Sequence, residues 1–240
     1  QLHVTVEPES ASYALMRERL RVIGGESGSD VRPYYAMRSQ AQPPNAAERY
    51  GMAIANLRLG DADTAAMELT QLAAQYPHLP AIYAALGQAQ LAAGDQRSAM
   101  ATFERALALS PRNVPLTVRY AEALMKTGNP KAAHTLLPDL FNNVPPTPDQ
   151  IRLTALAASA AGDTGDAYYY MSEYHIAGGD LKLSSQQLEL ALAAPNLTQV
   201  QRQRFQARLD EVREALSRDR RRNARRMSDA DSQDQRLVDR

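Results

Sequence analysis

The fold is decided by residues 80–113, which read PAIYAALGQAQLAAGDQRSAMATFERALALSPRN. Strong helix formers dominate this stretch, and two residues in it mark helix ends. Gly94 tolerates the left-handed backbone that ends a helix, and Pro111 cannot continue a second helix. Small residues at Gly87 and Ala99 let two helices approach closely. The stretch therefore predicts one antiparallel pair of helices.

The same features recur along the chain at a constant spacing of 34 residues. This spacing is shared by Gly60-Asp61, Gly94-Asp95, Gly128-Asn129 and Gly162-Asp163, by Ala65, Ala99, Ala133 and Ala167, and by Pro77, Pro111 and Pro145. A period of 34 residues is typical of tetratricopeptide repeats. We therefore predict an all-α fold, a tetratricopeptide repeat solenoid of antiparallel helix pairs.

The spacing changes towards the carboxy terminus, where Gly179-Asp180 follows Gly162-Asp163 by only 17 residues. This half period predicts that the helix near 166–177 is shared, as the second helix of one repeat and the first of the next. Thr198 and Gln201 then form a capping-box pattern that predicts the start of a last helix, extending to about Ser217.

Four segments follow from these signals. We expect residues 1–9 to be the remnant of an upstream region, because Gln1 opens the chain without the pattern of a signal peptide. Residues 10–45 are predicted to form amino-terminal helices and a linker, and residues 46–217 the repeat array. Residues 218–240 are rich in arginine and then mixed in charge, with few apolar side chains, which predicts a disordered tail.

Composition and motifs argue against several classes of function. The 27 basic residues equal the 27 acidic ones in number, so a bulk electrostatic grip on nucleic acid is not expected. Cysteine is absent, no apolar run is long enough for a transmembrane helix, and the four histidines stand far apart in sequence. Neither a metallopeptidase motif nor a phosphate-binding motif occurs. We therefore expect no enzyme activity and no metal or other cofactor in this chain.

The repeat pattern also predicts which side chains face a partner, because the first helix of each repeat lines the concave groove of such a solenoid. The predicted groove residues are Tyr50, Ile54, Leu57, Arg58, Gln88, Leu91, Glu122, Met125, Lys126, Arg152, Ser159, Tyr169 and Glu173. The set is apolar with scattered single charges, which suits an extended or partly unfolded segment, or a docking helix. The alternative for several of them is packing against neighbouring helices or the tail.

Three stretches resemble a particular family. They are YALMRERLRV (13–22), AERYGMA (47–53), and AYYYMSEY (167–174) with the following Gly179-Asp180-Leu181. Together they are similar to the carboxy-terminal tetratricopeptide region of BepA-like β-barrel assembly-enhancing proteases. Members of that family join a zinc metallopeptidase domain to such repeats and act in the bacterial periplasm on outer-membrane β-barrel proteins.

The resemblance implies that this chain is the recognition part of a periplasmic metallopeptidase-chaperone. Its implied partners are outer-membrane β-barrel proteins, the barrel assembly machinery and its own upstream protease domain, which would hold the zinc. No catalytic residue carries over, since the H-E-x-x-H helix of the family is absent here. The alternative is a stand-alone adaptor that scaffolds an envelope secretion or pilus complex.

Overall fold

The computed structural model describes residues 10–24, 30–141 and 145–238, with side chains described as far as Arg222. Twelve α-helices and no β-strand occur among these residues, so the predicted all-α class is confirmed. The predicted upstream remnant, residues 1–9, lies outside the described residues. The chain divides into two compact units, Gln1–Asn129 and Pro130–Arg240.

The helices follow the predicted repeats closely. The first unit contains α1 (Ala11–Ile23), α2 (Arg32–Ala41), α3 (Ala46–Arg58), α4 (Ala62–Gln75), α5 (Pro80–Ala92), α6 (Gln96–Leu109) and α7 (Val114–Lys126). The second contains α8 (Pro130–Phe141), α9 (Pro148–Ala161), α10 (Thr164–Ala177), α11 (Leu181–Ala193) and α12 (Gln199–Val238). The boundary between the units therefore falls inside the third predicted repeat.

The turns inside the helix pairs explain the 34-residue period. Gly60, Gly94, Gly128, Gly162 and Gly179 all have φ between 80° and 90°, a region that glycine enters without strain. The aspartates that follow four of these glycines cap the next helix, as Asp95 does by accepting a hydrogen bond from the Ser98 backbone N–H at 3.0 Å. The repeated Gly-Asp pair is thus a helix stop followed by a helix start.

Close packing within the first unit depends on small residues at the helix contacts. An added Cβ at Gly87 would lie 2.6 Å from the ring of Phe103, so α5 and α6 approach as closely as they do only because Gly87 lacks a side chain. Phe103 is fully buried, together with Leu69, Leu72 and Ile82. This cluster forms the centre of the unit.

The amino-terminal helices α1 and α2 both pack on α3. Leu15 and Val22 of α1 are buried in the same apolar cluster as Tyr50 of α3. The Tyr35 hydroxyl donates to the buried Glu18 carboxylate at 3.1 Å, and an added Cβ on Gly51 would collide with the Tyr35 ring. Burial and the neighbouring Glu18 raise the pKa of Tyr35.

The second unit shows the predicted sharing of one helix by two repeats, since α10 packs on both α9 and α11. Helix α12 then closes the unit, with Phe205, Leu209 and Val212 buried. Pro138 neither breaks nor ends α8, which continues to Phe141.

The sequence predicts a disordered tail over residues 218–240, and in the structure α12 continues through residue 218 to Val238. The low apolar content of this segment argued only against a packed core, and a helix satisfies its own backbone hydrogen bonds without one. Ion pairs along the helix support it: Arg218 lies 3.3 Å from Glu214, and Arg222 lies 3.2 Å from Asp219.

Candidate partner-binding groove

A groove between α5 and α7 of the first unit is the surface that best matches the predicted binding face. It has a volume of about 180 Å³. It is lined by Gln88, Leu91, Ala92, Gln96, Arg119, Glu122, Ala123, Lys126 and Thr127. Four of the thirteen predicted groove residues therefore meet on one surface: Gln88, Leu91, Glu122 and Lys126.

The groove combines an apolar floor with a charged side. Leu91 and the alanines supply the apolar part. Arg119 Nη1 donates to Glu122 Oε2 at 2.8 Å, and each of these side chains keeps over a third of its surface exposed. Lys126 adds a positive charge at the end of α7, where cations are favoured. Such a surface suits a segment with one apolar side chain for Leu91 and an acidic group for Lys126.

Met125, also predicted to face the groove, does not line it and is half-buried on α7. The larger corrections concern the first repeat. Tyr50 is only 1% exposed and Ile54 only 5%, so both lie in the core rather than on a binding surface. Leu57 is half-buried and packs against the same cluster.

Helix α1 is the physical reason for these corrections. The Tyr50 hydroxyl accepts a hydrogen bond from Arg19 Nη1 at 3.3 Å, and the exposed Arg58 donates to the backbone carbonyl oxygen of Val22. Both partners belong to α1. The face of α3 that the repeat pattern assigns to a ligand is therefore covered by the chain itself.

In the second unit, α9 presents an open face. Arg152 and Ser159 are exposed as predicted, and Leu156 between them keeps 50% of its surface accessible. The three residues are four and three positions apart, so they share one side of the helix. This face remains a candidate contact surface.

Tyr169 and Glu173, the last predicted groove residues, face α12 instead of an open groove. The Tyr169 ring stacks on Phe205 with centroids 5.1 Å apart, and Glu173 accepts two hydrogen bonds from Arg208, at 2.6 and 2.7 Å. Burial raises the pKa of Tyr169, and the Glu173 charge raises it further. The bidentate pair and the stack use these side chains inside the unit.

The second unit also contains a group of side chains with metal-ligand chemistry. Ligand atoms of His134, Asp163 and Asp166 lie within 4.8 Å of one another. His134 Nε2 lies 3.1 Å from Asp166 Oδ2, while Arg204 and the Gln201 amide also contact the carboxylates. A guanidinium already at the carboxylate makes this set a poor fit for a cation, so the group acts as a link between α8, α10 and α12.

The electrostatics of Asp166 agree with this internal role. Its burial by itself would raise the pKa, but the hydrogen bond from His134, the Arg204 charge and the Gln201 amide outweigh burial and hold the pKa below its usual value. The charged carboxylate is therefore the form that the fold stabilises.

One cavity was not indicated by the sequence. It has a volume of about 540 Å³ beside α4, α5 and α6, and its lining includes Tyr83, Gln90, Thr102 and Arg105. Thr102 donates to the Gln90 side chain at 2.8 Å inside it. Because three helices contribute to this cavity, no spacing along one helix could have revealed it.

Comparison with known proteins agrees with the repeat assignment. A tetratricopeptide repeat family profile matches residues 90–158, and a second tetratricopeptide profile matches residues 49–78. No curated protein sequence matches the chain significantly.

Solved structures of repeat proteins are similar to this chain, and two of them share its fold at TM-scores of 0.50 and 0.56. A tetratricopeptide repeat protein from Parabacteroides merdae is 14% identical with a TM-score of 0.50, the match covering 86% of each chain. The APC/C hetero-tetramer Cut9–Hcn1 contains a chain that is 11% identical with a TM-score of 0.56, matched over 86% of this chain and 44% of that one. A thermophilic repeat protein from Thermus thermophilus is 19% identical with a TM-score of 0.42, matched over 81% and 92% of the two chains.

Residues 49–78 and 90–158 therefore carry tetratricopeptide repeats, a type of repeat that is typical of scaffolds for protein–protein interaction. The tetratricopeptide fold is typically non-catalytic. Across the part of the chain that the structure describes, no helix has the length and apolarity needed to cross a membrane.

Proposed function

We propose that the groove between α5 and α7 holds a segment of a partner protein. The observation that carries this proposal is the convergence of Gln88, Leu91, Glu122 and Lys126 on one open surface. Amides at such a site can pair with the backbone of an extended segment, while Leu91 takes an apolar side chain. The groove differs in this respect from the equivalent face of α3, which α1 covers.

We further propose the biological setting that the family resemblance suggests. The chain would act in the periplasm as the recognition part of a zinc metallopeptidase-chaperone, with the zinc held by an upstream domain. Its partners would be outer-membrane β-barrel proteins and the barrel assembly machinery. The mixed lining of the groove supports a ligand with exposed apolar side chains, which an unfinished barrel offers.

Photocrosslinking tests the groove directly. A photoreactive amino acid is placed at Leu91, and the matched control places it at Met67, which is 61% exposed but lies on α4 away from the groove. Purified β-barrel precursor, diluted from urea, is the probe. We expect a crosslink from Leu91 that is at least several-fold stronger than that from Met67. Equal crosslinking at both positions would contradict a specific groove.

The parent protease is tested separately by sequencing the gene upstream of Gln1. A signal peptide followed by an H-E-x-x-H helix supports the periplasmic metallopeptidase. A different upstream domain favours the second candidate, an adaptor in a secretion or pilus complex, because the same groove then serves one dedicated partner. Weak crosslinking of the barrel precursor, together with a different upstream domain in the gene, would contradict the proposed role in barrel assembly.

A further inference from the structure

Helix α1 has a second apolar face, which points away from α3. Its large side chains Tyr13, Met16, Leu20 and Ile23 are 61%, 46%, 57% and 49% exposed. Their spacing of three, four and three residues places them in one stripe, about 80° wide at 100° per residue. The side chains that α1 buries, Leu15, Glu18 and Val22, lie on the opposite side.

The charges beside this stripe are positive. Helix α1 carries three arginines, Arg17, Arg19 and Arg21, and one glutamate, Glu18. Glu18 is 2% exposed and turned inwards, where it accepts from Arg17, Arg21 and Tyr35. The side chains of Arg17 and Arg21 remain 45% and 38% exposed. The outer face of α1 is thus an apolar stripe with a cationic rim and no carboxylate on the described helix surface.

The width and the charge of the stripe select among possible occupants. A helix that lies in a membrane surface usually shows a broad apolar face, whereas a narrow stripe with three-four spacing is the seam of a helix–helix contact. Arg17 and Arg19 flank the seam on its two sides. A second copy of α1 packed on the seam would offer these arginines no exposed carboxylate, because the only carboxylate of α1, that of Glu18, is buried.

We infer that the outer face of α1 binds an amphipathic helix of another protein, one with apolar residues at the same spacing and carboxylates on both flanks. The carboxylates pair with the arginine rim, and the apolar residues cover Tyr13, Met16, Leu20 and Ile23. This contact is separate from the groove between α5 and α7, and neither proposal depends on the other.

Two synthetic three-heptad peptides test the inference. Both carry leucine at the seam positions; one carries glutamate at every flanking position and the other carries lysine. Uniform flanking charge keeps each peptide from pairing with itself. Fluorescence anisotropy with the full chain is expected to show binding of the glutamate peptide about tenfold tighter than that of the lysine peptide, with the difference shrinking at high salt.

Variants locate the contact. Leu20→Glu and, separately, Tyr13→Asp are expected to weaken binding of the glutamate peptide about tenfold or more. Both side chains are mostly exposed, so circular dichroism should show an unchanged fold. Leu190→Glu, at a leucine 46% exposed on α11, is the matched control and should leave binding unchanged.

Three results would overturn the inference. They are equal affinity for the two peptides, no loss of affinity in the α1 variants, and no binding at all. If phosphatidylglycerol vesicles instead co-sediment with the chain and Leu20→Glu abolishes this, the stripe is a lipid contact. A dimer in light scattering that Leu20→Glu dissociates would assign the stripe to a second copy.

Discussion

The face of α3 and the groove between α5 and α7 are formed by equivalent positions of successive repeats. They differ in how accessible their side chains are. Ile54 on α3 is buried, while Gln88 on α5 and Glu122 on α7, the residues 34 and 68 positions later, are only half-buried and line the groove. The repeat pattern fixes the direction of these side chains in both places. The neighbouring helix makes the difference. Of these two surfaces, only the face of α3 has an additional helix, α1, packed on it through apolar residues.

The second unit shows the same effect with different chemistry. Helix α12 covers Tyr169 and Glu173 through a ring stack and a bidentate ion pair, in addition to its own apolar residues. By contrast, α1 covers α3 mainly with Leu15 and Val22. A predicted groove position is therefore a binding position only where no flanking helix occupies it.

The strongest test of this contrast compares Tyr50→Ala with Leu91→Ala. Removing the buried Tyr50 ring should lower the free energy of unfolding by roughly 3–5 kcal/mol, because it leaves a cavity beneath α1. Leu91→Ala at the half-buried groove position should cost clearly less. Urea unfolding measures both. Tyr50→Phe is the control, and it should cost about 1 kcal/mol since it loses only the bond from Arg19. Equal costs for the two alanine variants would mean that α1 does not cover α3.

The open groove depends on the close contact of α5 with α6, which Gly87→Ala should disturb. The added methyl group meets the Phe103 ring, and we expect a loss of roughly 1–3 kcal/mol in the free energy of unfolding. Gly178→Ala is the control, because its Cβ would have no neighbour nearer than 3.6 Å. Thermal or urea unfolding measures the stability of both variants. If both were as stable as the wild type, the contact between α5 and α6 would tolerate the added methyl group, contrary to this prediction.

The polar network around Asp166, which links α8, α10 and α12, is tested by the substitution Asp166→Asn. The lowered pKa of Asp166 means that its stabilisation is present above the ordinary carboxyl pKa of about 4 and is lost as the pH falls through the folded-state value. We expect the variant to be less stable by roughly 1–3 kcal/mol near neutral pH. The difference from the wild type should shrink below about pH 4.

Asp139→Asn, at an exposed aspartate of α8, serves as the control for Asp166 and should change stability little at any pH. Urea unfolding across the pH range provides the measurement. A stability difference that stays constant down to pH 3 would show that the charge of Asp166 does not hold the network together.

The smallest effect is expected from Glu122→Gln in the groove. Its ion pair with Arg119 is exposed, so the free energy of unfolding should change by less than about 1 kcal/mol. Glu48→Gln is the matched comparison, because it changes a buried glutamate instead of an exposed one. Glu48 is 5% exposed, forms an ion pair with Arg38 and accepts a hydrogen bond from the Asn45 backbone N–H. These bonds outweigh burial and lower the pKa of Glu48. Unfolding experiments should find the Glu48 variant the less stable of the two.

The helix pairs were predictable because their signals are local. Gly94 with Asp95 stops one helix and starts the next within two residues, and the same pair returns at each period. The sharing of α10 was predictable for the same reason, from the half period ending at Gly179. The helical course of the tail does not follow from the sequence, because low apolar content argues against a packed core and says little about helix formation.

The sequence by itself determined the helix boundaries within the repeats, the repeat period, and the residues that can point to the concave side of each repeat. Only the tertiary structure decided which of those residues are accessible. Arg19 reaches Tyr50 across 31 positions of sequence, and Arg208 reaches Glu173 across 35. Turns and caps are fixed by neighbours along the chain, whereas exposure is fixed by neighbours in space.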